Sequence, residues 1–181
     1  MNNPTLTALA AALVACLSVP AQAAPPLPVT GLDTASTAYQ TANAWIEIDQ
    51  AAFEHNIRTL QALLDGKSQI CAIMKADAYG HGIANLMPSV IAAGIPCIGI
   101  ASNEEARVVR ASGYKGRIMR VRSATPVEVR DGFQYDMEEL FGDVEAARLA
   151  AEAARAEGRT LRYHLGLNAG GMSRNALEVA T

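Results

Sequence analysis

Hydrophobic and polar positions change period repeatedly along the chain. "AWIEI" (44–48) alternates as a strand does. Asp49 can cap a following helix on which Phe53, Ile57, Leu60 and Leu64 share one face, and Gly66 suits its exit. A strand-like run over 69–75 then leads into a helical stretch ending at Ala93-Gly94. Strand 97–101 leads into "SNEEARVVRASG", where Ser102 and Glu105 form a capping box and Gly113 stops the helix. Strand 117–121 leads into "TPVEVRDG", with Thr125, Pro126 and Glu128 as cap, first-turn proline and box partner. A short "FQYD" precedes an alanine-rich helix from about Asp143 to Glu157, closed by Gly158, and strand 161–165 follows. The glutamates on that helix form a solvated face.

Strand–helix alternation at this spacing predicts an α/β fold, a parallel sheet covered by helices. A barrel and a doubly wound sheet both satisfy it. No GxGxxG follows the first strand, so a dinucleotide crevice has no support. A (β/α)8 barrel needs about 250 residues, and only about five barrel strands fit between Gln69 and Thr181. The sequence also stops inside a polar, helix-like stretch. The expectation is residues 44–181 as a partial TIM-type barrel, the N-terminal part of a larger protein.

Residues 24–43 are rich in Pro, Thr, Ala and Ser, lack Lys and Arg, and read as an extended arm or linker. Residues 1–23 hold an apolar run, then Pro20 and Ala21-Gln22-Ala23, the small-residue ending that signal peptidase cuts. The expectation is a signal peptide cleaved after Ala23, export to the periplasm, and no membrane attachment afterwards. A membrane anchor is the alternative, but the run is short for a bilayer; a lipoprotein leader ending at Cys16 is another.

Half of the 181 residues are hydrophobic and the formal charge is -3, with no basic stripe, so nucleic-acid binding is excluded. Leader removal takes Cys16 and leaves Cys71 and Cys97. In an oxidising compartment these two, each near the start of a strand, are a candidate disulfide; two buried free thiols are the alternative. His55, His81 and His164 are scattered and, with two cysteines, give no metal-ligand spacing, so no metal is expected. His164 reads as a packed, hydrogen-bonded histidine.

The stretch with most chemistry is "AIMKADAYGHG" (72–82), where a buried strand ends on Lys75. In parallel α/β folds functional groups stand at the carboxyl ends of strands. A lysine there, partly buried or beside positive charge, is a free amine that attacks carbonyls, and Gly80 and Gly82 let the backbone approach a ligand. A snorkelling lysine satisfies the same spacing.

"MKADAYGHG" closely resembles the cofactor-lysine motif of the alanine racemase family, pyridoxal-phosphate enzymes built on a (β/α)8 barrel. The resemblance runs from about Trp45 to the end, through "AWIEIDQAAFEHNIRTL" and "HLGLNAGGMSRNALE". It implies that Lys75 carries pyridoxal 5'-phosphate, that Tyr79 donates its hydroxyl to the phosphate, and that Arg174 reaches the phenolic oxygen. His81 holds the loop. Alanine racemases read close to "HLKxDTGMxR", with a carbamylated lysine steadying the arginine; here that position is Gly166 and the segment is one residue longer. This is similar to the periplasmic broad-specificity amino-acid racemases, with Asn168 and Asn175 as the matching residues. It implies that Asn168 orients Arg174, with a bound anion as one way of filling the carbamate's place.

The implied activity is interconversion of L- and D-amino acids, basic and aliphatic ones included, by α-proton abstraction from an external aldimine, with Lys75 as the base on one face. In the family the second acid/base is a tyrosine of a C-terminal β-domain, supplied across a head-to-tail homodimer. Residues 1–181 contain no such domain, so this stretch alone is expected to be inactive. An ordinary alanine racemase and a non-catalytic pyridoxal-phosphate barrel are the alternatives.

Overall fold

The computed structural model describes residues 35, 37–168 and 176–178. The chain divides into two compact units, Met1–Trp45 and Ile46–Thr181. In the first, the described residues contain one short helix, α1 (Thr37–Thr41), where the Thr41 hydroxyl donates to the Thr37 carbonyl at 2.8 Å. The stretch expected to be extended over 24–43 is thus helical at 37–41. It has no proline beyond Pro28 to prevent a local turn. The leader expected over 1–23 lies outside the described residues.

The second unit is a parallel sheet with helices between its strands. Its elements are α2 (Gln50–Leu64), β1 (Cys71–Ile73), α3 (Ile83–Ala92), β2 (Cys97–Ile100), α4 (Asn103–Ala111), β3 (Arg117–Arg120), α5 (Pro126–Gly132), β4 (Met137–Phe141), α6 (Val144–Ala156) and β5 (Arg162–Leu165). A left-handed turn (Lys75–Tyr79) lies between β1 and α3, and a 3-10 turn (Phe133–Tyr135) before β4. The strands are ordered β1-β2-β3-β4-β5, all parallel. Sequential order without a reversal is the winding of a barrel; a doubly wound sheet has a switch point. The pair β6 (Leu167–Asn168) and β7 (Leu177–Glu178) follows.

Local chemistry explains the helix starts. Asp49 accepts from the Ala52 N–H at 2.9 Å, and Asp143 from Ala146 at 2.8 Å. Ser102–Glu105 and Thr125–Glu128 both form complete capping boxes. The Arg122 guanidinium, and then the Thr125 N–H, hold the Glu128 carboxyl well below the usual range, at about 2.

Three expectations need correction. Residues 44–48 are not a strand: the alternation is there, but no ladder partner lies alongside among the described residues. On α2 Ile57 is buried and Phe53 partly buried, but Leu60 is half exposed. And the stretch between "FQYD" and α6, to which the sequence pattern assigned no element, is strand β4, "MEELF". Its two glutamates break the apolar run, so the pattern hid it.

Those glutamates are paired on opposite faces. On the helix-covered face, Ile98, Ile100, Ile118 and Met137 pack with Leu86, Val90, Ala106 and Val109. A second cluster joins Val129, Phe141 and Ala150. At roughly 2–3 kcal/mol per fully buried branched side chain, this seam outweighs the solvent-screened Arg148–Glu145 and Arg148–Glu152 pairs on α6. Within the seam, Arg120 is fully buried and donates to Glu139, itself 2% exposed, at 2.8 and 3.2 Å. On the other face Glu138 receives His164 Nε2 at 2.7 Å and lies 3.9 Å from Arg117 and 3.8 Å from Arg162. Gly99 belongs to that face too; a Cβ there would stand 2.6 Å from Ile73 Cδ1 and 3.0 Å from Val121 Cγ1, so a larger residue would have to push those side-chain ends aside.

Candidate active site

Strand β1 stops at Ile73, and the ladder runs one bond further, Met74 N–H to the Gly99 carbonyl at 2.7 Å. Lys75 therefore stands two residues beyond the strand it was expected to end. There the chain reverses its hand: Ala76, Asp77, Ala78 and Tyr79 have φ of 53°, 51°, 55° and 54°. Left-handed backbone costs an L-residue roughly 1–2 kcal/mol, so four in succession persist only where surrounding bonds impose them.

Those bonds are specific. Ala78 N–H donates to Met74 O at 2.8 Å and Gly80 N–H to Ala76 O at 3.0 Å. Asp77 Oδ1 accepts the Ile83 N–H at 2.7 Å, starting α3 from within the turn. His81 Nδ1 lies 2.8 Å from the Ala78 carbonyl, which requires the proton on Nδ1. Glu105 Oε1 accepts the Ala76 N–H at 2.7 Å. Gly80 and Gly82, at φ 86° and 81°, carry the reversed backbone on to α3.

The result places an amine and a phenol side by side at the carboxyl end of the sheet. Lys75 is partly buried, and its Nζ stands 5.9 Å from the centroid of the Tyr79 ring, which is 61% exposed. The amine can capture an aldehyde and the hydroxyl can donate to an anion.

The other expected residues are distributed as follows. Asn168 follows β5 at the carboxyl side, paired through β6 with Glu178 of β7, across the sheet order from Lys75. The backbone passes there through Gly166, whose N–H donates to Phe141 O and whose carbonyl accepts from Leu177, both at 2.8 Å. Arg174 and Asn175 lie outside the described residues. Cys71 and Cys97 are register partners at the amino ends of β1 and β2, away from Lys75, with Cα atoms 4.5 Å apart and their sulfur atoms facing each other. Among the described residues no cluster of three His, Cys, Asp or Glu could hold a metal ion, and no helix is long and apolar enough to cross a membrane. Sequence reasoning took Glu105 as a helix cap only; its reach to Ala76, 29 residues away, has no local signal.

A singly wound parallel sheet with a lysine turn beyond its first strand defines a class, and comparison identifies it. Residues 48–179 match the family described as alanine racemase, N-terminal domain, and the chain belongs to that family. Among its relatives, the broad specificity amino-acid racemase of Pseudomonas putida is 55% identical over 177 residues, covering 98% of this chain and 43% of that protein. The protein of the same name from Pseudomonas taetrolens is 58% identical over 178 residues, covering 98% and 43%. The crystal structure of alanine racemase from D-cycloserine producing Streptomyces lavendulae superposes with a TM-score of 0.65 at 35% identity, covering 72% of this chain and 34% of that one. The chain thus spans 43% of the length of the two curated relatives.

Proposed function

We propose that the whole protein is an exported, pyridoxal-phosphate-dependent amino-acid racemase of broad specificity. The observation that carries this reading is the Lys75–Tyr79 turn, which presents an amine and a phenol together at the carboxyl end of the sheet. The donor set fits the cofactor: Lys75 for its aldehyde, Tyr79 for its phosphate, and Arg174, oriented by Asn168 with Asn175 nearby in sequence, for its phenolic oxygen. When bound, pyridoxal phosphate supplies an electron sink that acidifies the α-proton of an amino acid. Lys75, as a free amine, takes that proton on its own face of the substrate. Inversion needs a second acid/base on the opposite face. We assign it to a tyrosine outside these 181 residues, brought by the partner in a head-to-tail homodimer, so residues 1–181 alone do not racemise.

Similarity to broad specificity racemases, rather than Lys75 itself, supports the substrate range. Cofactor-loaded full-length protein is expected to racemise lysine, arginine and methionine with kcat/KM within about tenfold of alanine. Strict alanine preference in a chiral chromatographic assay would make it an ordinary alanine racemase, and no turnover of any amino acid would make it a non-catalytic carrier.

The apolar leader and Ala21-Gln22-Ala23 support cleavage after Ala23 and a periplasmic location. There Cys71 and Cys97, facing each other in register, form a disulfide. Intact mass of secreted protein should rise by two hydrogens on reduction; an unchanged mass means free thiols.

A further inference from the structure

The two capping boxes differ in one respect. Glu128 spends its carboxylate on Thr125 and Arg122, close by in sequence. Glu105 holds three backbone N–H groups: Ala101 at 2.7 Å and Ser102 at 3.2 Å on Oε2, and Ala76 at 2.7 Å on Oε1. The Ala76 N–H belongs to the peptide plane joining it to Lys75. Fixing that plane fixes ψ of Lys75 and φ of Ala76, the two torsions where the chain enters its left-handed course. A charged acceptor holds such a donor more firmly than a neutral one.

We propose that Glu105 is a positioning residue that aims Lys75. It ties the turn after β1 to the junction of β2 with α4, so both stand or shift together. This rests on the proposed function for its catalytic meaning, but its structural content concerns Ala76 alone.

Glu105→Gln separates the two sides of the carboxylate. An amide has one acceptor oxygen and an NH2 that cannot accept. Keeping the oxygen on Ala101 and Ser102 preserves two bonds and sacrifices one, so the bond to Ala76 is released. Glu128→Gln is the matched control, since it weakens a capping box without touching the lysine turn.

Both variants would be made in the full-length protein. Hydrogen–deuterium exchange would be followed over residues 74–82, with and without pyridoxal phosphate, beside kcat and KM. Glu105→Gln is expected to speed exchange of this segment about tenfold and to lower kcat about tenfold with KM within about twofold. Glu128→Gln is expected to leave all three at wild-type values. If Glu105→Gln does not fold, Glu105→Asp, a methylene too short to span Ala101 and Ala76, carries the same expectation. Wild-type exchange at 74–82 in the Glu105 variants, or equal effects from Glu128→Gln, overturns the proposal. Should the wild type fail to bind cofactor, the racemase reading falls while the exchange experiment on cofactor-free protein still decides the role of Glu105.

Discussion

Replacing Lys75 by alanine in full-length protein is expected to abolish the visible absorbance of the covalently held cofactor and to lower racemisation by at least about 10³-fold. Under the proposed function the magnitude follows from two losses in one residue, the anchoring amine and the base on one face of the substrate. No other lysine among the described residues can substitute: Lys67 precedes β1 and Lys115 precedes β3, both on the amino side of the sheet. The substitution should leave thermal stability and exchange at 74–82 unchanged, because the turn is held through main-chain groups, Asp77, His81 and Glu105. Retention of the absorbance band in Lys75→Ala would show that the cofactor is held elsewhere. Collapse of the fold would show that the ammonium has a packing role.

Arg120→Ala is expected to be the most damaging change remote from the lysine. It strands the Glu139 carboxylate, 2% exposed, and removes donors from Asn103 Oδ1 at 2.5 Å and the Ala101 carbonyl at 3.4 Å. Removing one partner of a buried pair costs about 3–5 kcal/mol, whereas replacing both by apolar groups is often neutral. Urea unfolding of the full-length protein should show this loss in Arg120→Ala and recover most of it in Arg120→Met/Glu139→Leu. A loss under about 1 kcal/mol in the single variant would mean that water reaches Glu139.

Much of this molecule was legible from local signals. Both capping boxes, the Asp49 cap and the strands around Cys71, Cys97, Arg117 and Arg162 stand where short-range patterns put them. So does the hydrogen-bonded His164. What escaped depends on partners distant in sequence. Strand β4 looked polar because Glu138 and Glu139 find their partners 19 to 26 residues away. Residues 44–48 carried strand periodicity without a neighbour to pair with. The lysine motif marked out the turn after β1, yet not that Ala76–Tyr79 run left-handed, because only Gly80 and Gly82 advertise unusual torsions in the sequence.

Winding in one direction has a consequence for how such a protein can diversify. Every strand points the same way, so Lys75 and Asn168 stand along one rim while Cys71 and Cys97 sit at the other. If the proposed function holds, loops on the lysine rim can be rewritten for new side chains without disturbing the opposite one, and durability can be tuned below without retraining the chemistry above.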